Sequence, residues 1–102
     1  MVKHIVLFRF RDDIAEEQKN EVFESFSKGI LSLVGIIPQI KKIEVGRNAN
    51  PSEAWDICLC GEFDSLEDIN IYANNPEHVK VAGALKPFLA GRSCVDYETS
   101  EP

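Results

Sequence analysis

The chain has 102 residues, of which 44% are apolar and 27% are charged, with 17 acids against 11 bases and a formal net charge of −6. These values are typical of one soluble globular domain, predicted here over residues 1–102, that holds a single core without a metal or disulfide framework. The acidic balance disfavours nucleic acid as a partner, because such binding depends on Lys and Arg clustered at the phosphates.

Location is predicted from apolar runs and cysteine spacing. No apolar run approaches the roughly 20 residues that a membrane helix needs, and the amino end alternates apolar with charged residues, unlike a signal peptide. The three cysteines form no Cys-x-x-Cys motif, which fits reduced thiols. We therefore expect a cytoplasmic protein with no membrane contact.

The first predicted elements are a strand and a helix. Residues 2–10 are rich in β-branched and aromatic side chains and are predicted to form a strand, in which the even positions share one face. Asp13 is then predicted to cap an amphipathic helix of about five turns, with Glu16 as its capping-box partner. Gly35 and the nearby proline are predicted to end that helix.

Two strands and a helix follow, at residues 40–47, residues 55–63 and Ser65 to about Ala73. The chain then restarts as a third helix, since Asn75 is a good N-cap and a proline suits the first helical position. Gly91 is predicted to close this helix before a last strand.

This order of elements is the ferredoxin-like βαββαβ pattern of the α+β class, with the second helix split. With both helical segments on one side of the sheet, the other side would carry Ile5, Leu7, Cys58, Cys60, Val95 and Tyr97. An apolar centre with a charged rim is typical of a partner surface. We therefore expect two sheets packed face to face in a homodimeric α+β barrel.

Four residues could carry acid–base chemistry. His78 falls in the first turn of the third helix, where the helix dipole favours the neutral imidazole that a base needs near pH 7. Asp96 would orient His78, and Tyr72 would donate to an enolate-like oxygen. His4 would form a second polar wall. Three of them have a structural alternative: His4 and Tyr72 as core residues, and Asp96 as a surface acid.

A pocket between sheet and helices would take a small hydrophobic carbonyl compound. Its predicted lining is Val6, Phe8, Phe23, Phe26, Leu59 and Cys94.

His4 in the opening strand, Tyr72, the Asn-Pro-Glu-His run at 75–78 and the closing Asp-Tyr-Glu at 96–98 resemble the stress-responsive dimeric α/β-barrel (Dabb) family. The resemblance extends over nearly the whole chain. It implies a dimer of ferredoxin-like protomers.

The resemblance also implies chemistry. One branch of the family closes a linear polyketide by an aldol step. In that branch, the histidine at the position of His78 is the base and the tyrosine at the position of Tyr72 assists it. The residues at the positions of His4 and Asp96 support the site. Phe26 departs from that branch, where a tyrosine lines the pocket, and this leaves the substrate open.

No cofactor is predicted, because the sequence has no glycine-rich phosphate loop. The resemblance does suggest a magnesium ion after the first helix, held by main-chain oxygens of Val34, Ile37 and Ile40. That loop has no carboxylate, so a specific metal site is not expected.

The sequence thus favours a cofactor-free cyclase or isomerase that abstracts a proton next to a carbonyl. Two alternatives stay open: a non-catalytic, stress-associated binding or structural oligomer, and, by fold analogy alone, a cofactor-free monooxygenase.

Overall fold

The computed structural model describes residues 1–100 and contains a four-stranded antiparallel sheet. The elements are β1 (Val2–Phe10), α1 (Glu16–Leu31), β2 (Lys42–Arg47), β3 (Ile57–Phe63), α2 (Leu66–Asn74), α3 (Pro76–Leu85), a 3₁₀ turn (Lys86–Phe88) and β4 (Leu89–Glu98). The strand order is β2-β3-β1-β4, so the predicted ferredoxin-like α+β fold is confirmed. The last two residues of the predicted domain, 101–102, lie outside the described residues.

The helices cover one face of the sheet, as the alternation in β1 predicts. The even positions of β1, from Val2 to Phe10, are all buried. They pack with apolar side chains of the three helices and of β3. The helical members of this core are Phe26, Ile30, Ile69, Tyr72 and Leu85.

The register of β1 with β4 fixes which side chains share the covered face. His4 lies opposite Asp96, and Phe8 lies opposite Arg92. Because alternate residues of a strand point to the same side, Arg92, Cys94 and Asp96 form one row on the helix side. This row forms part of the wall beside the helices.

The start of α1 differs from the prediction. Ala15 is its N-cap and provides no side-chain hydrogen bond. Asp13 lies two residues before this N-cap, and its carboxylate forms an ion pair with Arg11, at 2.5 Å between Oδ2 and Nη2. The helix also ends earlier than predicted, at Leu31, and Gly35 adopts a positive φ of 92° in the turns that follow.

The start of β4 also differs from the prediction. Helix α3 ends at Leu85, and β4 begins at Leu89, so Gly91 lies within the strand rather than at a helix end. Pro87 has no amide hydrogen to continue the helical ladder, and the chain passes through the 3₁₀ turn before it becomes extended at Leu89.

The other sheet face is open in the single chain. Val95 and Tyr97 are 54% and 46% exposed, while Ile5 and Leu7 are half-buried. No helix within residues 1–100 is long and apolar enough to cross a membrane.

Gly61 provides a test of how tightly the covered face is packed. A Cβ at Gly61 would lie 2.9 Å from Cε1 of Phe63, whose side chain is fully buried. Because the ring has no free space to move into, Gly61→Ala is expected to lower the free energy of unfolding by about 1–3 kcal/mol. Urea denaturation at one fixed protein concentration measures this change.

The matched control is Gly83→Ala, which adds the same methyl group in open space on α3. It is expected to be neutral or to stabilise the fold by up to about 1 kcal/mol, because alanine favours helix over glycine. Equal stabilities for the two variants would contradict the close packing of Gly61 against Phe63.

Candidate functional site

The break between α2 and α3 builds the first part of the site. Helix α2 ends at Asn74, and Asn75 is extended, with φ −64° and ψ 132°. The Asn75 side chain accepts the amide of Glu77 at 2.9 Å and so caps α3, as predicted. The last carbonyls of α2 therefore have no helical amide to accept and are available to other donors.

One of these carbonyls fixes the orientation of His78. Nδ1 of His78 lies 3.0 Å from the carbonyl oxygen of Ala73. A carbonyl oxygen only accepts, so Nδ1 carries the hydrogen and donates it. In the neutral imidazole, Nε2 then holds the free lone pair, which is the arrangement that a general base requires.

His78 is also held in its neutral form. Partial burial lowers the pKa of His78 below its ordinary value of 6.5, and the charges of His4 and Arg92 act in the same direction. The hydrogen bond to Ala73 opposes this shift without reversing it. The imidazole is therefore a neutral base at pH 7.

Tyr72 lies against His78 with an unused hydrogen-bonding group. The two ring centroids are 4.3 Å apart, and Tyr72 is 1% exposed. Its hydroxyl is buried and makes no hydrogen bond to any residue within 1–100. Burial raises the pKa of Tyr72 well above its usual range, so the phenol stays protonated and can donate to a bound oxygen.

His4 and Asp96 form a separate polar pair. His4 Nδ1 and Asp96 Oδ1 are 2.5 Å apart, and the Cys94 sulfur lies 3.6 Å from the same nitrogen. Asp96 therefore bonds His4 rather than His78, contrary to the prediction. The register of β1 with β4 places the two partners opposite each other, and Nδ1 of His78 already bonds Ala73.

A cavity of about 630 Å³ lies beside His78 and Tyr72, which both line it. Four of the six predicted pocket residues also line it: Val6, Phe8, Phe26 and Leu59. The volume is in the range of small-molecule sites, which are mostly apolar with a few polar groups.

Four of the predicted site residues do not line this cavity. Phe23 packs against the core from α1. Cys94 lies with His4 and Asp96 instead, with its sulfur 3.8 Å from Asp96 Oδ1. The His4–Asp96 pair is thus close to the reactive groups without being part of the cavity wall.

Two cations on the cavity wall, Lys86 and Arg92, were missed in the sequence. The pattern held a signal for Arg92, since it precedes Cys94 and Asp96 by steps of two and shares their face. Ending the third helix at Gly91 concealed this signal, because it placed Arg92 outside the strand.

Two places in the structure bring potential metal ligands together. His4, Cys94 and Asp96 offer a nitrogen, a sulfur and an oxygen within 4.8 Å of one another, but the nitrogen and one carboxylate oxygen bond each other. After α1, the carbonyl of Ile37 accepts the amide of Ile40 at 3.2 Å, and residues 32–41 contain no carboxylate. Neither place matches the oxygen-rich, carboxylate-containing sites that Mg²⁺ prefers.

Comparisons with known proteins agree with this architecture. Olivetolic acid cyclase from Cannabis sativa is 31% identical over 99 residues, which cover 94% of each chain. A crystal structure from Bacteroides fragilis, described as a dimeric protein of unknown function with a ferredoxin-like fold, is 50% identical. It superposes with a TM-score of 0.93 over 96% of this chain and 95% of the other.

More distant proteins share the fold alone. A hydroxynitrile lyase from Passiflora edulis is 19% identical, with a TM-score of 0.75 over 99% of this chain and 94% of that one. The sequence profile of the Stress responsive A/B Barrel Domain (Dabb) matches residues 2–99. The chain therefore belongs to the Dabb family.

Proposed function

We propose that this protein is a cofactor-free acid–base enzyme that removes a proton from a carbon next to a carbonyl. One observation carries the proposal: the buried hydroxyl of Tyr72, which has no hydrogen-bond partner among residues 1–100, lies beside the neutral imidazole of His78 on the wall of a largely apolar cavity. A buried hydroxyl without a partner costs about 1–3 kcal/mol. A bound carbonyl oxygen would satisfy it.

The residues suit the two halves of such a step. Nε2 of His78 takes the proton from carbon, and the Tyr72 hydroxyl donates a hydrogen bond to the carbonyl oxygen as negative charge develops there. In a cyclase, the resulting enolate carbon bonds to a second carbonyl carbon of the same molecule, and protonated His78 returns the proton to the new alkoxide. In an isomerase, the proton returns to another carbon. Both reactions balance without an oxidant or a reductant.

The relatives support this class of reaction. The chain matches a protein named as a cyclase at 31% identity over nearly its full length. The monooxygenase alternative is weaker, since its support is a 15% identical neighbour that shares the fold.

A non-catalytic oligomer is the second candidate. The observation that favours it is the His4–Asp96 pair, whose two polar groups satisfy each other within the protein. The Tyr72 hydroxyl argues against it, because a purely structural core would gain stability from phenylalanine at this place.

We also propose that the protein is a homodimer joined through the open sheet face. The face has the apolar side chains of Val95 and Tyr97 exposed in the single chain, and the 50% identical relative is described as dimeric. A second copy packed on this face would bury those side chains.

The role of the Tyr72 hydroxyl is tested by Tyr72→Phe. The variant is expected to lower the rate of α-proton exchange in ethyl 3-oxooctanoate by about 100-fold, since one donor to the developing oxyanion is lost. Its free energy of unfolding is expected to stay unchanged or rise by about 1 kcal/mol, because an unpaired buried hydroxyl is removed. Deuterium uptake followed by NMR and urea denaturation measure the two quantities.

Tyr97→Phe is the matched control, because it removes the same group from the opposite sheet face and should leave the exchange rate within about twofold. A Tyr72→Phe protein that is less stable and equally active would contradict the proposal.

The protonation of His78 gives a pH profile. Because burial lowers its pKa, the neutral base persists below pH 6.5, and the exchange rate should fall tenfold per pH unit only below that lowered pKa. The NMR titration of the His78 ring should have the same midpoint as the rate profile. In a His78→Gln variant, this acidic decrease of the exchange rate should be absent. A midpoint at or above 6.5 would contradict the neutral-base assignment.

The dimer is tested by placing a charge on the open face. Val95→Lys is expected to shift the protein from dimer to monomer mass in sedimentation at micromolar concentration, because an ammonium group would be buried without a partner. Ile36→Lys is the control, since Ile36 is similarly exposed, at 58%, but lies in the loop after α1. A monomeric parent protein, or a dimeric Val95→Lys variant, would refute the interface.

A further inference from the structure

The cavity beside His78 has an unusual charge balance for this chain. The protein has 17 acidic and 11 basic side chains, yet the charged residues lining this cavity are Lys86 and Arg92, and none of the acids within residues 1–100 lines it. The separate cavity of about 480 Å³ between α1 and α3 has a lining of mixed charge, since the acidic Glu21 and the basic Lys80 both line it.

Neither cation is neutralised by an acidic side chain among residues 1–100. Among residues 1–100, four basic side chains form ion pairs with acids: Arg11, Lys19, Lys41 and Arg47. Lys86 and Arg92 form no ion pair with an acidic side chain in the part of the chain that the structure describes. Burial and the charge of Asp96 raise the pKa of the nearby Cys94 thiol, and Arg92 acts in the opposite direction. A neutral thiol is only a weak partner for a guanidinium, so it would not compete with a bound anion.

Both cations line a cavity whose other walls are largely apolar. Arg92 lies opposite Phe8 in the sheet, on the face that the helices cover. Lys86 belongs to the 3₁₀ turn that joins α3 to β4. The remaining lining is mostly aliphatic and aromatic, with Tyr72 and His78 as its other polar members.

We propose that the cavity binds an apolar compound ending in a carboxylate, with Arg92 and Lys86 holding the carboxylate. This assignment rests on the proposed function and names the substrate class for the same site. A guanidinium presents parallel N–H donors that match the two oxygens of a carboxylate, and an ammonium adds a second charge. The apolar tail of the compound would occupy the aliphatic lining.

The charge of Arg92 also reaches the reactive groups. Burial raises the pKa of Tyr72 and lowers that of His78, and the charge of Arg92 acts to lower each of them. Because Arg92, His78 and Tyr72 line the same cavity, a carboxylate bound at Arg92 would set the position of the adjoining carbon chain relative to Nε2 of His78 and the Tyr72 hydroxyl.

The experiment compares octanoate with octanamide, which has the same tail and a neutral end. Calorimetry at pH 8, where His78 is neutral, measures the two dissociation constants, and the NMR signals of His78 report occupancy of the cavity. Octanoate is expected to bind about tenfold more tightly at low salt. The preference should decrease with added salt, since both cations are exposed to solvent.

Substitutions assign the preference to the two cations. The double variant Arg92→Gln/Lys86→Gln is expected to bind both compounds with the dissociation constant of octanamide for the parent protein. Lys28→Gln is the control, because it removes an exposed positive charge from α1 outside the cavity and should keep the tenfold preference. Circular dichroism and urea denaturation establish that the variants are folded.

Three results would overturn the proposal: equal affinities in the parent protein, a preference that survives in the double variant, or no binding of either compound. The exchange assay with neutral ethyl 3-oxooctanoate stands apart from this test. A protein that prefers octanoate without exchanging the ester would retain the carboxylate site and lose the acid–base function. A protein that exchanges the ester without preferring octanoate would do the reverse.

Discussion

The break between α2 and α3 is the constraint on which the site depends. In one continuous helix, the carbonyl of Ala73 would accept the amide of Glu77, four residues later. Here Asn75 is extended, and its side chain accepts that amide instead. The Ala73 carbonyl is left to accept from Nδ1 of His78. One interrupted turn of helix thus determines which nitrogen of the imidazole holds the lone pair.

The polar groups of the covered face divide into a satisfied set and an unsatisfied set. His4 and Asp96 bond each other across β1 and β4, while Tyr72 keeps a buried hydroxyl without a partner within residues 1–100. The first arrangement stabilises the sheet. The second costs stability, and a cost retained beside a neutral base in a cavity is typical of a binding or catalytic site.

Local signals in the sequence predicted the elements, whereas contacts between elements decided the pairings. The alternation of side chains along β1 predicted which residues face the helices, and Asn75 predicted the break between α2 and α3. Asp13 does not cap α1 because the helix begins at Glu16, with Ala15 as its N-cap, and the spacing of apolar residues does not fix the first helical residue. Asp96 bonds His4 because the register of β1 with β4 places the two residues opposite each other. The pattern of side chains within one strand does not determine this register.

Strand β4 links the proposed dimer to the cavity. Its side chains alternate, so that Val95 and Tyr97 point to the open face while Arg92 points to the helix side. In the single chain, β4 is an edge strand held by β1 alone. A second copy packed on the open face would hold this strand from the other side. The positions of Arg92 and the cavity wall would then depend on the assembly, even though the cavity itself lies beneath the helices of one protomer.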